Sequence, residues 1–288
     1  MDYGKVAYVG GGNMTRALAG GMLAAGYAAH HVLISEPLAE HREHLAMELP
    51  GANILEHNED AVREAECVVL AVKPQILCDV CKPLAPLVQK NKPLVISIAA
   101  GVRARDIETW LGGELPVVRV MPNQPALLRL GISGLFANAH TSKQQLRAAT
   151  NIISTTGPVV RVRSEEDIDT VTAVSGTGPA YFYLLVDMLV KVAVDLGLSY
   201  DDALALELET ARGAGRWMLG RGDEHLLVNA RDRLEVLARD QVRDAGVEVL
   251  GRGSAPRKRS QRGAHSERRH GEEQSTMTDI HGACARTG

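Results

Sequence analysis

The segment Lys5–Ala25, "KVAYVGGGNMTRALAGGMLAA", constrains this chain more than any other. Its first residues, Lys5–Gly10, read as a buried strand. Two more glycines, Gly11 and Gly12, follow. Asn13–Ala25 then places Met14, Leu18, Met22 and Ala25 on one helical stripe. A strand that turns on glycine straight into a helix leaves a tight bend and an open helix N-terminus at one point. Gly10 permits the bend. Gly12 lets backbone approach a pyrophosphate, which meets the free N–H groups and the positive end of the helix. Thr15 stands where this fingerprint has its third glycine, so helix and strand are expected to pack slightly less closely there. A glycine pattern alone is a weak signal; the strand before it, the helix after it and a further strand beyond give it context.

The alternation continues. "HVLIS" reads as a strand and "LAEHREHLAMEL" as a helix. Short strands follow at Asn53–Leu55 and in "CVVLAV". Then come a helix at Gln75–Val88, the strand "PLVISIAA", the helix "VRARDIETWL" and the strand "PVVRV". Strands alternating with helices call for a mainly parallel sheet covered on both faces. Near Arg163 the pattern changes. "EEDIDTVTAV", Pro179–Leu196 and Tyr200–Leu219 read as successive helices with no strand between them. The expected architecture is α/β: a Rossmann-type, mainly parallel dinucleotide-binding domain over residues 1–163, then an all-helical substrate and dimerisation domain over 164–250, altered from about 224. From Gly251 to His270 there are seven basic residues against one acid, and no Leu or Val follows Leu250. Such a segment buries too little apolar area to offset its ordering entropy, so 251–288 is expected to be a disordered tail.

Bulk properties narrow the function classes. A net charge of −3 and the lack of aromatics interleaved with the basic tail argue against nucleic acid as a partner. No apolar run reaches the length of a membrane span, and no leader precedes the first strand, so a cytoplasmic enzyme is expected. The four cysteines suggest no disulfide framework. Cys78 and Cys81 read as two small apolar residues one helical turn apart. His41 and His44 read as surface histidines on a polar helix face. No metal site is expected. Glu36 lies 24 positions beyond Gly12, near where an acidic residue binds a ribose 2′-hydroxyl and favours NAD. Ser35 with a basic neighbour such as Arg42 would instead suit a 2′-phosphate, and a plain solvated carboxylate is a third reading of Glu36. In "SGTGPAYFY", Thr177 reads as a helix N-cap and Pro179 as first-turn proline, which would place an anion site at Ser175–Gly178.

Five stretches taken together, "VGGGNM", "LAVKPQ", "SIAAGV", "RVMPNQPA" and "SGTGPAYFY", resemble the pyrroline-5-carboxylate reductase family in order and spacing, over roughly residues 5–219. The resemblance implies reduction of 1-pyrroline-5-carboxylate to L-proline by hydride transfer from NADPH or NADH. It implies a homodimer or higher oligomer. It also implies roles: Val9, Gly10, Gly11, Gly12, Asn13 and Met14 at the pyrophosphate; Ser35 at the ribose and Asn58 on the adenosine side; Ala71, Val72, Lys73, Pro74 and Ile98, Ala99, Ala100 along the nicotinamide half. Lys73 would face a phosphate or ribose, and Ser175 and Thr177 the substrate carboxylate. Gln124 stands where the family usually has Thr. The family's Ser-Pro-Gly-Gly-Thr-Thr loop is missing, and the sequence after Glu224 reads as a replaced C-terminus. Two alternatives follow from that: a nucleotide-binding relative with impaired catalysis, or a nucleotide-dependent regulator using a basic tail.

Overall fold

A computed structural model describes residues 4–221, with side chains through 218. Among these residues, eight strands form one sheet: β1 (Val6–Val9), β2 (Val32–Ser35), β3 (Asn53–Leu55), β4 (Cys67–Leu70), β5 (Leu94–Ser97), β6 (Val117–Met121), β7 (Ser133–Ala137) and β8 (Val159–Arg161). Their order is β3-β2-β1-β4-β5-β6-β7-β8. All neighbours run parallel except β6 and β7, where Val118 faces Ala137 and Met121 faces Gly134 in an antiparallel pair.

Side chains leave a strand alternately to its two faces, and both faces here are buried. Val6 and Tyr8 of β1 join Leu18, Met22, Val32, Ile34, Ile96 and Ile152 on one side. Ala7 and Val9 join Leu33, Val68, Leu70, Leu84, Val95 and Ile107 on the other. Helices α1 (Asn13–Ala24), α2 (Ala39–Glu48), α3 (Asn58–Val62), α4 (Leu77–Asn91), α5 (Ala104–Trp110) and α6 (Lys143–Ser154) accompany the sheet. Burial on both faces explains why β1, β4 and β5 read as unbroken apolar runs rather than alternating ones. It also drives the Tyr8 phenol and the Cys67 thiol well above their usual pKa values and the Cys81 thiol up to about 12, so both thiols stay protonated within the core.

Two expectations are corrected beyond the sheet. Asp167–Asp195 is one continuous helix of 29 residues, not two. It comprises α7 (Asp167–Val171), a π-helical segment at Thr172–Gly176 and α8 (Gly178–Asp195). Pro179 has no N–H to give and its ring crowds the carbonyl four residues back. Widening the turn to π geometry just before it lets the helix pass through instead of starting afresh. Because the two stretches are joined, this helix is long and apolar enough to cross a membrane by length and composition alone, where no such run was expected.

The chain divides into two compact units between Tyr183 and Leu184, inside α8. The second unit contains the rest of α8 and α9 (Tyr200–Arg221), with Val190 and Ala203 buried. The expected changes from about 224 and the tail at 251–288 lie outside the described residues.

Candidate functional site

Strand order reverses between β1 and β4, and the crevice at the carboxyl ends of those strands is where open α/β sheets receive ligands. The glycine turn lies there. Gly10 has φ +101°, and a Cβ on it would meet the Ala71 carbonyl oxygen at 2.9 Å and Val72 Cγ1 at 3.0 Å. The turn and the segment after β4 therefore touch at a distance only glycine allows. Gly10 N–H donates to the Ser35 carbonyl at 3.0 Å, tying the turn to β2 as well. Thr15 is fully buried and its hydroxyl donates to the Gly10 carbonyl at 2.6 Å. The departure from the third glycine thus adds a bond that holds the helix against the turn.

Gly12 differs from its neighbours. It is the N-cap of α1 with no side-chain cap, and there is no acidic residue in the first turn. A Cβ on Gly12 would find nothing within 4 Å. Open space, unclaimed helix N–H groups and the positive end of the helix dipole fit a dinucleotide pyrophosphate at this point.

The other expected residues fall around the same crevice. Ser35 ends β2, but it is fully buried, and its hydroxyl donates to Asn58 Oδ1 at 2.7 Å. Its side chain is thus turned inward, with Asn58 on the outer side of the pair. Ala71 N–H donates to the Val9 carbonyl at 2.9 Å, and Ile98 N–H to the Leu70 carbonyl at 3.2 Å. Ala71–Pro74 and Ile98–Ala100 consequently follow β4 and β5 side by side. Lys73 is exposed at the start of the short 3-10 turn Pro74–Ile76. Glu36 is only 8% exposed, which rules out the solvated carboxylate. His41 Nδ1 lies 3.6 Å from its Oε1, so that histidine has a carboxylate neighbour the sequence did not reveal.

The N-cap reading of Thr177 does not hold. Its N–H donates to the Thr172 carbonyl at 2.9 Å, and its hydroxyl to the same oxygen at 3.0 Å. The π segment ends at Gly176, directly before Thr177, and takes up this hydroxyl, so Thr177 does not cap α8 (Gly178–Asp195). The segment still approaches the sheet: a Cβ on Gly176 would meet Met121 Cε, at the end of β6, at 2.5 Å.

A tie that sequence reading missed holds this helix in place. Arg119 in β6 is 2% exposed. Its Nη1 donates to Glu165 Oε1 at 2.8 Å, and that oxygen also accepts from Ala104 N–H at 2.6 Å. Asp169 Oδ1 lies 3.6 Å from Arg119 Nη2. One carboxylate therefore joins β6, α5 and the approach to α7. The signal was an arginine within "VVRV", a charge inside an otherwise apolar strand, which demands a buried partner.

A mainly parallel, doubly covered sheet with a glycine turn at its switch point defines a dinucleotide-binding fold of the Rossmann type. The comparisons agree. Residues 5–101 match the family model described as "NADP oxidoreductase coenzyme F420-dependent", and residues 165–253 match that for pyrroline-5-carboxylate reductase dimerisation. The pyrroline-5-carboxylate reductase of Pseudomonas aeruginosa is 45% identical over 219 residues, 76% of this chain and 80% of its own. That of Vibrio alginolyticus is 38% identical, covering 78% and 82%. The solved reductase of Coxiella burnetii superposes with a TM-score of 0.76 at 32% identity, covering 85% of this chain and 93% of its own. The Plasmodium falciparum pyrroline carboxylate reductase, solved with NADP bound, gives 0.72 at 26% identity, covering 85% and 91%. The chain belongs to the pyrroline-5-carboxylate reductase family. The dimerisation match runs past Leu219, where the resemblance was expected to end, and nothing in the comparisons favours an impaired relative or a regulator.

Proposed function

We propose that this chain reduces 1-pyrroline-5-carboxylate to L-proline with a hydride from NADPH or NADH, the last step of proline biosynthesis. One observation carries the reading: 45% identity to a reductase of that name across four-fifths of that protein. The glycine-turn crevice supports it with a place for the cofactor.

The bound reduced nicotinamide supplies the hydride. The protein then has to hold the imine over it, keep water out and favour the charge distribution of the transition state; no nucleophile is required. Val9–Met14 hold the pyrophosphate, with Gly12 leaving the room and α1 the N–H groups. Asn58, backed by Ser35, meets the adenosine side. Ala71–Pro74 and Ile98–Ala100 wall the nicotinamide half, and the Lys73 ammonium faces a phosphate or ribose. Ser175 and Thr177 meet the substrate carboxylate. Thr177 is exposed, so its hydroxyl can turn from the Thr172 carbonyl to an anion in the crevice.

The protein acts as a homodimer or higher oligomer in the cytoplasm. Tyr181, Phe182, Leu184, Leu185 and Met188 of α8 are all more than half exposed. A contiguous apolar helix face of this kind marks an interface, and residues 165–253 match a dimerisation model. The test is a coupled measurement on the purified chain: oxidation of NADH or NADPH with the imine, and proline by chromatography. Cofactor oxidation matched by proline formation is expected. Oxidation without proline, or no oxidation at all, would refute the reading.

A further inference from the structure

The Arg119 guanidinium is only partly used. The residue lies in β6 opposite Ser97, the last residue of β5, so it is rooted where Ile98–Ala100 leave the sheet. Nη1 is satisfied by Glu165 Oε1. Nε and Nη2 are buried and have no hydrogen-bond partner among the described residues. Buried N–H groups without an acceptor are costly and uncommon. Asp169 Oδ1 lies 3.6 Å from Nη2, near enough to pair as ions and too far for a hydrogen bond. The Asp169 side chain is half-exposed, whereas that of Arg119 is 3% exposed. The pair is therefore fixed at its buried end and can shorten at its open one.

Asp169 belongs to the turn that leads into the substrate region. The residue before it, Ile168, is buried, and its carbonyl accepts from the Thr172 hydroxyl at 2.8 Å. The Thr172 carbonyl in turn accepts from the N–H and the hydroxyl of Thr177, at 2.9 and 3.0 Å. A short chain of hydrogen bonds thus links the turn of Asp169 to Thr177. The same stretch is pressed on the sheet at Val171, against Gly134 of β7, and at Gly176, against Met121 of β6. A small shift of α7 toward Arg119 is therefore carried on to Ser175 and Thr177.

We propose that Asp169 is a positioning residue for imine reduction: its pair with the buried Arg119 sets where Ser175 and Thr177 stand over the nicotinamide half of the crevice. This rests on the proposed reductase reading, in which those two residues meet the substrate carboxylate. Shortening the pair to hydrogen-bond length gives Nη2 the acceptor it lacks. Because one end is out of water, the contact is screened less than a surface ion pair. The bonds from Arg119 and from Ala104 to Glu165 do not involve Asp169. Removing the Asp169 carboxylate should therefore loosen substrate alignment while leaving the fold and the cofactor site as they are.

The test is steady-state kinetics on the purified full-length chain and its Asp169→Ala and Asp169→Asn variants. Tm and calorimetric titrations with NADH and with NADPH, without imine, accompany it. Asp169→Ala is expected to raise the KM for the imine about tenfold and to lower kcat a few-fold. Its cofactor affinity should stay within about twofold of wild type and its Tm within about 2 °C. Asp169→Asn keeps an acceptor for Nη2 without the charge, and should recover part of the loss. Unchanged KM and kcat in Asp169→Ala, or no recovery in Asp169→Asn, would overturn the proposal. So would a fall in Tm and cofactor affinity beside the kinetic loss, or failure of both variants to fold, since Asp169 would then support the fold and not the alignment. Normal proline formation by wild type with unaffected variants refutes only this inference. If wild type forms no proline, the reductase reading fails and this inference falls with it.

Discussion

Gly12→Ala separates the cofactor site from the fold. Gly12 has φ −70°, which any residue adopts, and a Cβ there would touch nothing within 4 Å. The substitution should therefore change stability by no more than about 0.5 kcal/mol. The added methyl would instead fill the space assigned to the pyrophosphate. Pushing the phosphates off the α1 N-terminus forfeits one or two charge-assisted hydrogen bonds, each about 1.5–3 kcal/mol. Affinity for NADH should fall by about tenfold for the weakest single bond and up to about ten-thousandfold if two strong ones are lost. Gly10→Ala provides the contrast. Its φ of +101° and the Ala71 carbonyl oxygen 2.9 Å from the new Cβ make it destabilising by roughly 1–3 kcal/mol before any cofactor is added. Thermal unfolding of the unliganded variants gives the stability difference, and calorimetric titration gives the affinity. If Gly12→Ala binds NADH like wild type while remaining folded, the open space at Gly12 is not where the pyrophosphate lies.

Three further outcomes follow from the structure. Glu165→Ala strands the buried Arg119 guanidinium and the Ala104 N–H, so urea unfolding should show a loss of about 3–5 kcal/mol; a loss under about 1 kcal/mol would mean the tie is dispensable. Thr177→Val should raise the KM for the imine several-fold while leaving NADH affinity unchanged, and an unchanged KM in steady-state assays would remove Thr177 from the substrate region. The Asp167 carboxyl is held below the usual aspartate range, first by the Ser164 backbone N–H. A depressed pKa contributes stability above the unfolded value, and that contribution is lost as pH falls through the folded one. Asp167→Asn should accordingly lower Tm at neutral pH and flatten its decline on acidification; parallel Tm curves for the two proteins would contradict this.

Much of the fold could be read from the residues because burial on both faces writes strands as solid apolar runs. Lys5–Gly10, "CVVLAV" and "PLVISIAA" each contain an observed strand. The antiparallel β7 escaped that rule. Its second residue is Gly134, where a Cβ would meet Val171 Cγ1 at 2.7 Å, so packing against α7 demands the residue that makes the strand hard to recognise. Helix α6 did carry a signal: Ser142 and Gln145 form a capping box, the spacing that opens helices. The glycine turn was legible because its chemistry is local. The position of Glu36 was legible but its burial was not, because the carboxylate is held by the Gly11 and Leu38 backbone N–H groups. Pro179 does lie in the first turn of α8, but the Thr177 hydroxyl turns back to Thr172 because a π segment precedes it, and nothing in the spacing announces that segment.

Following one hydrogen isotope tests the proposed activity most directly. NADH carrying deuterium at its hydride position is incubated with the purified chain and 1-pyrroline-5-carboxylate, and the proline is examined by mass spectrometry and NMR. Deuterium bound to the former imine carbon, in amount equal to the cofactor oxidised, is the expected result. Proline without deuterium, or cofactor oxidised with no labelled proline, would contradict hydride transfer to the imine by this chain.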